Sequence, residues 1–247
     1  MFWLANWFTH LATAPRFDAF AQYWSIRCRI GSLCLLVPAL GWALFMLPGE
    51  QYMGDSVRIL FIHVPCAWMS LSILGWIAAW SVLGLIWHLK LAELLAMAAV
   101  PLGIVFTAAT LLTGSIWGRS TWGTFWDWDP RLTSELLLLF LYLGIHGLHR
   151  AIDDPRRAAR AAGLLSMIGL SLLPVIHYSV VWWHSLHQGQ TIRLFGPSPI
   201  YGLPTLATIV VGHQCWFIAS VLSRARVAQL ERIARAGQAY RIVEIVQ

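Results

Sequence analysis

Between Trp117 and Glu135 the chain reads Trp-Gly-Arg-Ser-Thr-Trp-Gly-Thr-Phe-Trp-Asp-Trp-Asp-Pro-Arg-Leu-Thr-Ser-Glu. Trp117, Trp122, Trp126 and Trp128 alternate there with Arg119, Asp127, Asp129 and Arg131, between two long apolar runs. A Trp ring presents a wide flat face and costs little entropy to fix. Such a density of rings beside a few charges suits a planar, mostly apolar ligand with a charged edge. Histidines flank the stretch: His63 where an upstream segment enters an apolar run, His184 and His187 where a downstream run ends. Imidazole can ligate a metal, haem iron included, or carry a proton near neutral pH. Arg119 and Arg131 can grip carboxylates through two parallel hydrogen bonds.

Each residue also has a plainer reading. A histidine near a membrane interface is ordinarily a hydrogen-bonded surface residue, and Trp at span ends forms an aromatic belt. Belt residues scatter, however, whereas these four cluster with Gly and charge. At helical spacing Trp122 and Trp126 share a face, which predicts a short amphipathic helix on the membrane surface. Asp129-Pro130 then caps the next helix, so Asp129 has a structural role available. Salt bridges from Arg119 and Arg131 to Asp127, Asp129 or Glu135 are the plain alternative to ligand contacts. A carboxylate at Glu135, just inside a span, needs a partner.

The elements that position these residues follow from composition. The 247-residue chain is 58% hydrophobic and only 11% charged, against about 25% charged in soluble domains. It is therefore expected to be an all-α integral membrane protein, because helices satisfy their own backbone in lipid. Apolar runs at 30–47, 59–87, 91–112, 132–149, 161–183 and 203–222 each approach the roughly 20 residues a span requires, giving six transmembrane helices in a single domain over 1–247. Residues 1–28 read as an amphipathic arm, 113–131 as a Trp-rich loop between helices three and four, and 223–247 as a basic tail forming a short helix. Of 17 Lys and Arg, all but Arg58, Arg119, Arg131 and Arg193 lie in one alternating set of segments. By the positive-inside rule both termini are then cytoplasmic and the Trp-rich loop faces outward, in a bacterium toward the periplasm. The net charge of +6 belongs to this orientation signal and not to nucleic-acid binding. Cys28, Cys34, Cys66 and Cys215 have no metal-ligand or redox spacing. His213, inside span six, is expected to hydrogen-bond a neighbouring helix. His88, His146 and His149 read as interface residues, His10 as part of the arm, and His177 as a buried hydrogen-bonder.

Trp122-Gly-Thr-Phe-Trp-Asp-Trp-Asp-Pro-Arg-Leu-Thr resembles the tryptophan-rich signature of haem-handling membrane proteins in cytochrome c maturation. The six-span size, with Ile62-His-Val-Pro-Cys-Ala-Trp-Met and Trp182-Trp-His-Ser-Leu-His-Gln-Gly, resembles the haem exporter protein C branch. Asp127 departs from the pattern, where an apolar residue is usual. The resemblance implies haem b on the outer face of the inner membrane, against Trp117, Arg119, Trp122, Trp126, Trp128, Asp129 and Arg131. It implies His63 and His187 as axial ligands, with His184 ranked lower. It further implies transfer to a periplasmic haem chaperone, beside the ATPase and membrane subunits of an ABC transporter and a small single-span protein. The chain has no phosphate-binding Gly-x-x-x-x-Gly-Lys motif, so ATP hydrolysis would belong to a partner. The expectation is a non-enzymatic haem-binding protein. The rivals are a transporter of haem or another solute, an enzyme attaching haem covalently, and a scaffold subunit of the transporter.

Overall fold

The computed structural model describes residues 13–49, 54–187 and 202–246, with side chains to Arg235 apart from that of Ala14. Its elements are helices throughout: α1 (Ala14–Gly41, continued by a π turn at Trp42–Met46), α2 (Leu60–Trp87, entered through a 3-10 turn at Asp55–Ile59), α3 (Lys90–Trp122), α4 (Pro130–Ala151), α5 (Pro155–Gly169), α6 (Leu172–Trp182) and α7 (Leu203–Val246). Six stretches are long and apolar enough to cross a membrane: Pro15–Met46, Asp55–Trp87, Lys90–Trp122, Pro130–Ala151, Pro155–Trp182 and Leu203–Arg235.

Several expected boundaries move. Helix one begins at Ala14 and not at Ile30, so residues 14–28 of the expected arm are its opening turns. Pro15 suits a helix start because the N–H it lacks would be unpaired there. Residues 1–12, with His10, lie outside the described residues, as do 50–53 and 188–201 of the expected outer loops. The fifth span is two helices, broken at Leu170–Ser171. Pro174 has no N–H for the Leu170 carbonyl and its ring crowds that carbonyl. The chain answers with tighter bonds, Leu170 N to Met167 O and Ser171 N to Ile168 O at 3.2 Å each. The expected tail helix is continuous with span six, since α7 runs unbroken to Val246.

The core is built around α2 and α3. Met69, Ile73, Leu74 and Ile77 of α2 are buried with Ala92, Ala96, Ala99 and Val100 of α3. Small residues let the backbones approach. At Gly103 the Tyr142 ring of α4 fills the space a Cβ would take. The Tyr142 hydroxyl donates to the Ser70 carbonyl at 2.6 Å, tying α4 to α2. α1 packs along α7, joined by Arg226 and Asp18 at 2.7 Å. His213 does not bridge helices as expected. Its Nδ1 is 2.9 Å from the Ile209 carbonyl one turn back, and its ring meets Phe106 of α3 edge-on.

Candidate functional site

The Trp-rich stretch divides at Gly123. α3 extends to Trp122, so Trp117, Arg119 and Trp122 stand on its last turns and not in a loop from residue 113. Gly123 ends the helix at φ +82°, a left-handed conformation Gly reaches without Cβ strain. Arg119 hydrogen-bonds the Gly123 carbonyl and lies 5.7 Å over the Phe125 ring. It thus closes its own helix end, and no carboxylate alternative is formed among the described residues. Residues 124–129 are non-helical, so the expected surface helix with Trp122 and Trp126 on one face does not form. Trp126 and Trp128 instead pack edge to face at 5.5 Å, with Trp128 72% exposed.

Asp129 does more than cap. Its Oδ1 accepts the Arg131 N–H at 2.8 Å, opening α4. Its Oδ2 accepts the Leu186 N–H at 2.8 Å. One buried carboxylate thereby fixes the start of α4 to the segment following α6. Burial alone would raise the Asp129 carboxyl, but bonds from Ser185, Arg131 and Leu186, and the nearby His187, hold it below its ordinary value. Those bonds place His187, whose Nδ1 stands 3.7 Å from Asp129 Oδ1 and whose ring packs on Trp122 at 4.9 Å. Burial, then the Arg131 guanidinium, push His187 down to about 4, with Asp129 opposing. His187 is therefore neutral near pH 7, with a lone pair to donate.

His63 sits in the first turn of α2, and α3 holds its ring. The Thr113 hydroxyl donates to the Ala109 carbonyl at 2.7 Å. Its oxygen, 3.1 Å from His63 Nδ1, is then left to accept a ring N–H, and the Thr110 backbone also bonds the ring. A proton on Nδ1 leaves Nε2 as the donor to a metal. Gly114 makes room for the ring: a Cβ there would lie 2.9 Å from His63 Cε1. Trp117 meets the same ring edge-on at 5.7 Å.

His63, His187, Arg131 and Glu135 line one cleft of about 30 Å³, floored by Ile176 and Leu71. No ion pair within 4 Å joins Arg131 to a carboxylate among the described residues, although Glu135 and Asp129 lie near enough to act on it, so the plain salt-bridge alternative is not formed as a direct contact. The Glu135 carboxylate is held instead by the Ser70 hydroxyl at 2.7 Å. His184 is exposed and outside the cleft, and His177 is exposed on α6 against Tyr178. Sequence reasoning missed Thr113, Gly114 and Ser185. The spacing of Thr113 and Trp117, four apart on α3, was the available signal for the first two.

The donor set suits iron in a planar macrocycle. Two imidazoles arrive from separate elements, and His187 Nδ1 is buried without a hydrogen-bond partner. The Arg131 guanidinium lines the same cleft, near Glu135 and Asp129, and could meet an anionic edge. The cleft, about 30 Å³, has room for little more than a water as it stands, so a macrocycle held by both donors would have to part the two imidazoles.

Fold and site define a multi-pass helical membrane protein with a paired-imidazole site at one end of its bundle. A family model, heme exporter protein C, matches residues 7–240. The heme exporter protein C of Escherichia coli (strain K12) is 46% identical over 181 residues, 73% of this chain and 74% of its own. That of Haemophilus influenzae is 40% identical over 207 residues, 83% of this chain and 84% of its own. That of Bradyrhizobium diazoefficiens is 42% identical over 196 residues. The chain belongs to the heme exporter protein C family.

Proposed function

We propose that this protein binds haem at the end of the bundle bearing the cleft, through His63 and His187, and passes it to a haem chaperone during cytochrome c maturation. The observation that carries the reading is the meeting of two imidazoles from separate elements with Arg131 in one cleft. His63 and His187 ligate the iron, and Arg131 pairs with a propionate. Trp117 and Trp122 back the two imidazoles, while exposed Trp128, with Trp126 behind it, offers a face to the macrocycle or to the docking chaperone. Asp129 and Arg119 act on this surface by holding its segments in place. The haem is cargo of the b type, held by ligation alone, and a cleft open on one side allows release. Family membership supports a haem-handling role; in this reading the protein works in the inner membrane with its site toward the periplasm, beside ABC transporter subunits and a small single-span protein. The reading is non-enzymatic.

The test is delivery. Cells making the wild type, His63→Ala or His187→Ala are scored for haem covalently held by the chaperone. Each single variant is expected to abolish delivery while the protein remains in the membrane. Full delivery by both variants would remove the ligand assignment.

A further inference from the structure

At the far end of α2 the chain does something the cleft does not explain. His88 follows α2 at φ +54° and ψ +33°, the single non-glycine residue with positive φ among those described. His63 and His88 are 25 positions apart, or about 37 Å along a helix at 1.5 Å per residue. The turn at His88 therefore lies at the opposite end of the bundle from the cleft. There His88, Lys90, Glu93, Arg156 and Arg160 line a second cavity, of about 370 Å³. Lys90 opens α3, and Arg156 and Arg160 lie in the first turns of α5.

These charges are not neutralised by one another. Among the described residues none of Lys90, Glu93, Arg156 and Arg160 enters an ion pair. Glu93 also lines the cavity, its Cγ packed over Gly84, where a Cβ would come within 2.7 Å. Three cations against one carboxylate around an open cavity favour an anionic occupant. The surface beyond the cavity states what kind. Arg156, Arg160, Leu164 and Ile168 are each four apart on α5, so they form one stripe. Leu164 is 52% and Ile168 70% exposed, while the opposite face of α5 buries Ala158, Ala162 and Ser166, with Gly163 against Ser81 of α2. The stripe passes from paired guanidinium to bare aliphatic surface within three turns. A molecule matching it carries a phosphate at one end and a hydrocarbon chain at the other.

We propose that this cavity is a binding site for an anionic phospholipid, its phosphate among Lys90, Arg156 and Arg160 and an acyl chain along Leu164 and Ile168. Basic pockets between membrane helices take acidic headgroups, each Lys or Arg strengthening the hold by about fivefold. The site does not depend on the haem reading. By the charge pattern it lies in the cytoplasmic leaflet.

The test uses the full chain purified in detergent and delipidated, with phosphatidylglycerol, phosphatidylcholine or inorganic phosphate added back. Native mass spectrometry counts bound lipid, and thermal unfolding reports stabilisation. The wild type is expected to retain phosphatidylglycerol over phosphatidylcholine. Arg156→Gln with Arg160→Gln is expected to weaken phosphatidylglycerol retention roughly 25-fold. Leu164→Asn is expected to weaken it while leaving any effect of inorganic phosphate unchanged. Circular dichroism identifies a variant that has failed to fold, and Lys90→Gln then replaces it, with about fivefold weaker retention expected. Equal retention of both lipids by the wild type, or undiminished retention in the charge variants, would overturn the proposal. Protection by inorganic phosphate equal to that by phosphatidylglycerol would also overturn it, in favour of a soluble phosphate ligand.

Discussion

Asp129 is the residue on which the cleft turns. Its two oxygens serve two backbones, Arg131 at the start of α4 and Leu186 beside His187. Asp129→Ala removes a helix cap, worth about 1 kcal/mol, and frees the segment that carries an imidazole. The expected result is a lower Tm and a weakened low-spin haem spectrum although both histidines remain. An unchanged spectrum would show that His187 is placed by something else. The pH dependence follows from His187 itself. Its folded value, about 4, lies below the ordinary 6.5. A group depressed in this way contributes its stability above 6.5. That stability drains away as pH falls from 6.5 toward 4, because only the unfolded chain takes up the proton. Haem added to the apoprotein is therefore expected to bind across pH 5 to 8 and to fail near 4. Half-loss near 6.5 would mean an exposed imidazole. Asp129 illustrates what the sequence could disclose: its capping role was legible from Asp-Pro before an apolar run. Its second bond joins residues 57 positions apart, and no local pattern encodes that.

At the scale of elements, the apolar runs foretold six spans because lipid forces the backbone into helices. Their ends were harder to place. α3 carries polar Ser115, Arg119 and Ser120 on its last turns, and composition alone assigned these to a loop. The helix stops at Gly123, where the left-handed turn is available, and not where hydropathy falls. Extending α3 to Trp122 is what brings Thr113, Gly114 and Trp117 against His63. Gly114→Ala isolates this contact. Alanine is favoured over glycine within a helix by about 1 kcal/mol, so Tm should hold or rise. The added methyl would meet His63 Cε1 at 2.9 Å and push the ring aside. The expected outcome is an intact fold with shifted or weakened haem bands, read by thermal unfolding beside the absorption spectrum. A wild-type spectrum would mean that the ring tolerates the methyl and that α3 does not set its position.

Across the whole molecule the two ends differ in chemistry. One gathers aromatic rings, two imidazoles and the Arg131 guanidinium. The other gathers exposed cations around a wider cavity. Between them α2 and α3 form a packed wall of Met, Ile, Leu and Ala, with Glu135, at the edge of the cleft, engaged by Ser70. The central claim is that His63 and His187 are both iron ligands. The most direct test is the reduced absorption spectrum of the detergent-purified protein, wild type beside His63→Ala and His187→Ala, with haem supplied. The account predicts a Soret band with sharp low-spin bands in the wild type, lost or converted to high-spin form in each variant. A colourless wild type, or low-spin bands surviving unchanged in either variant, would contradict it.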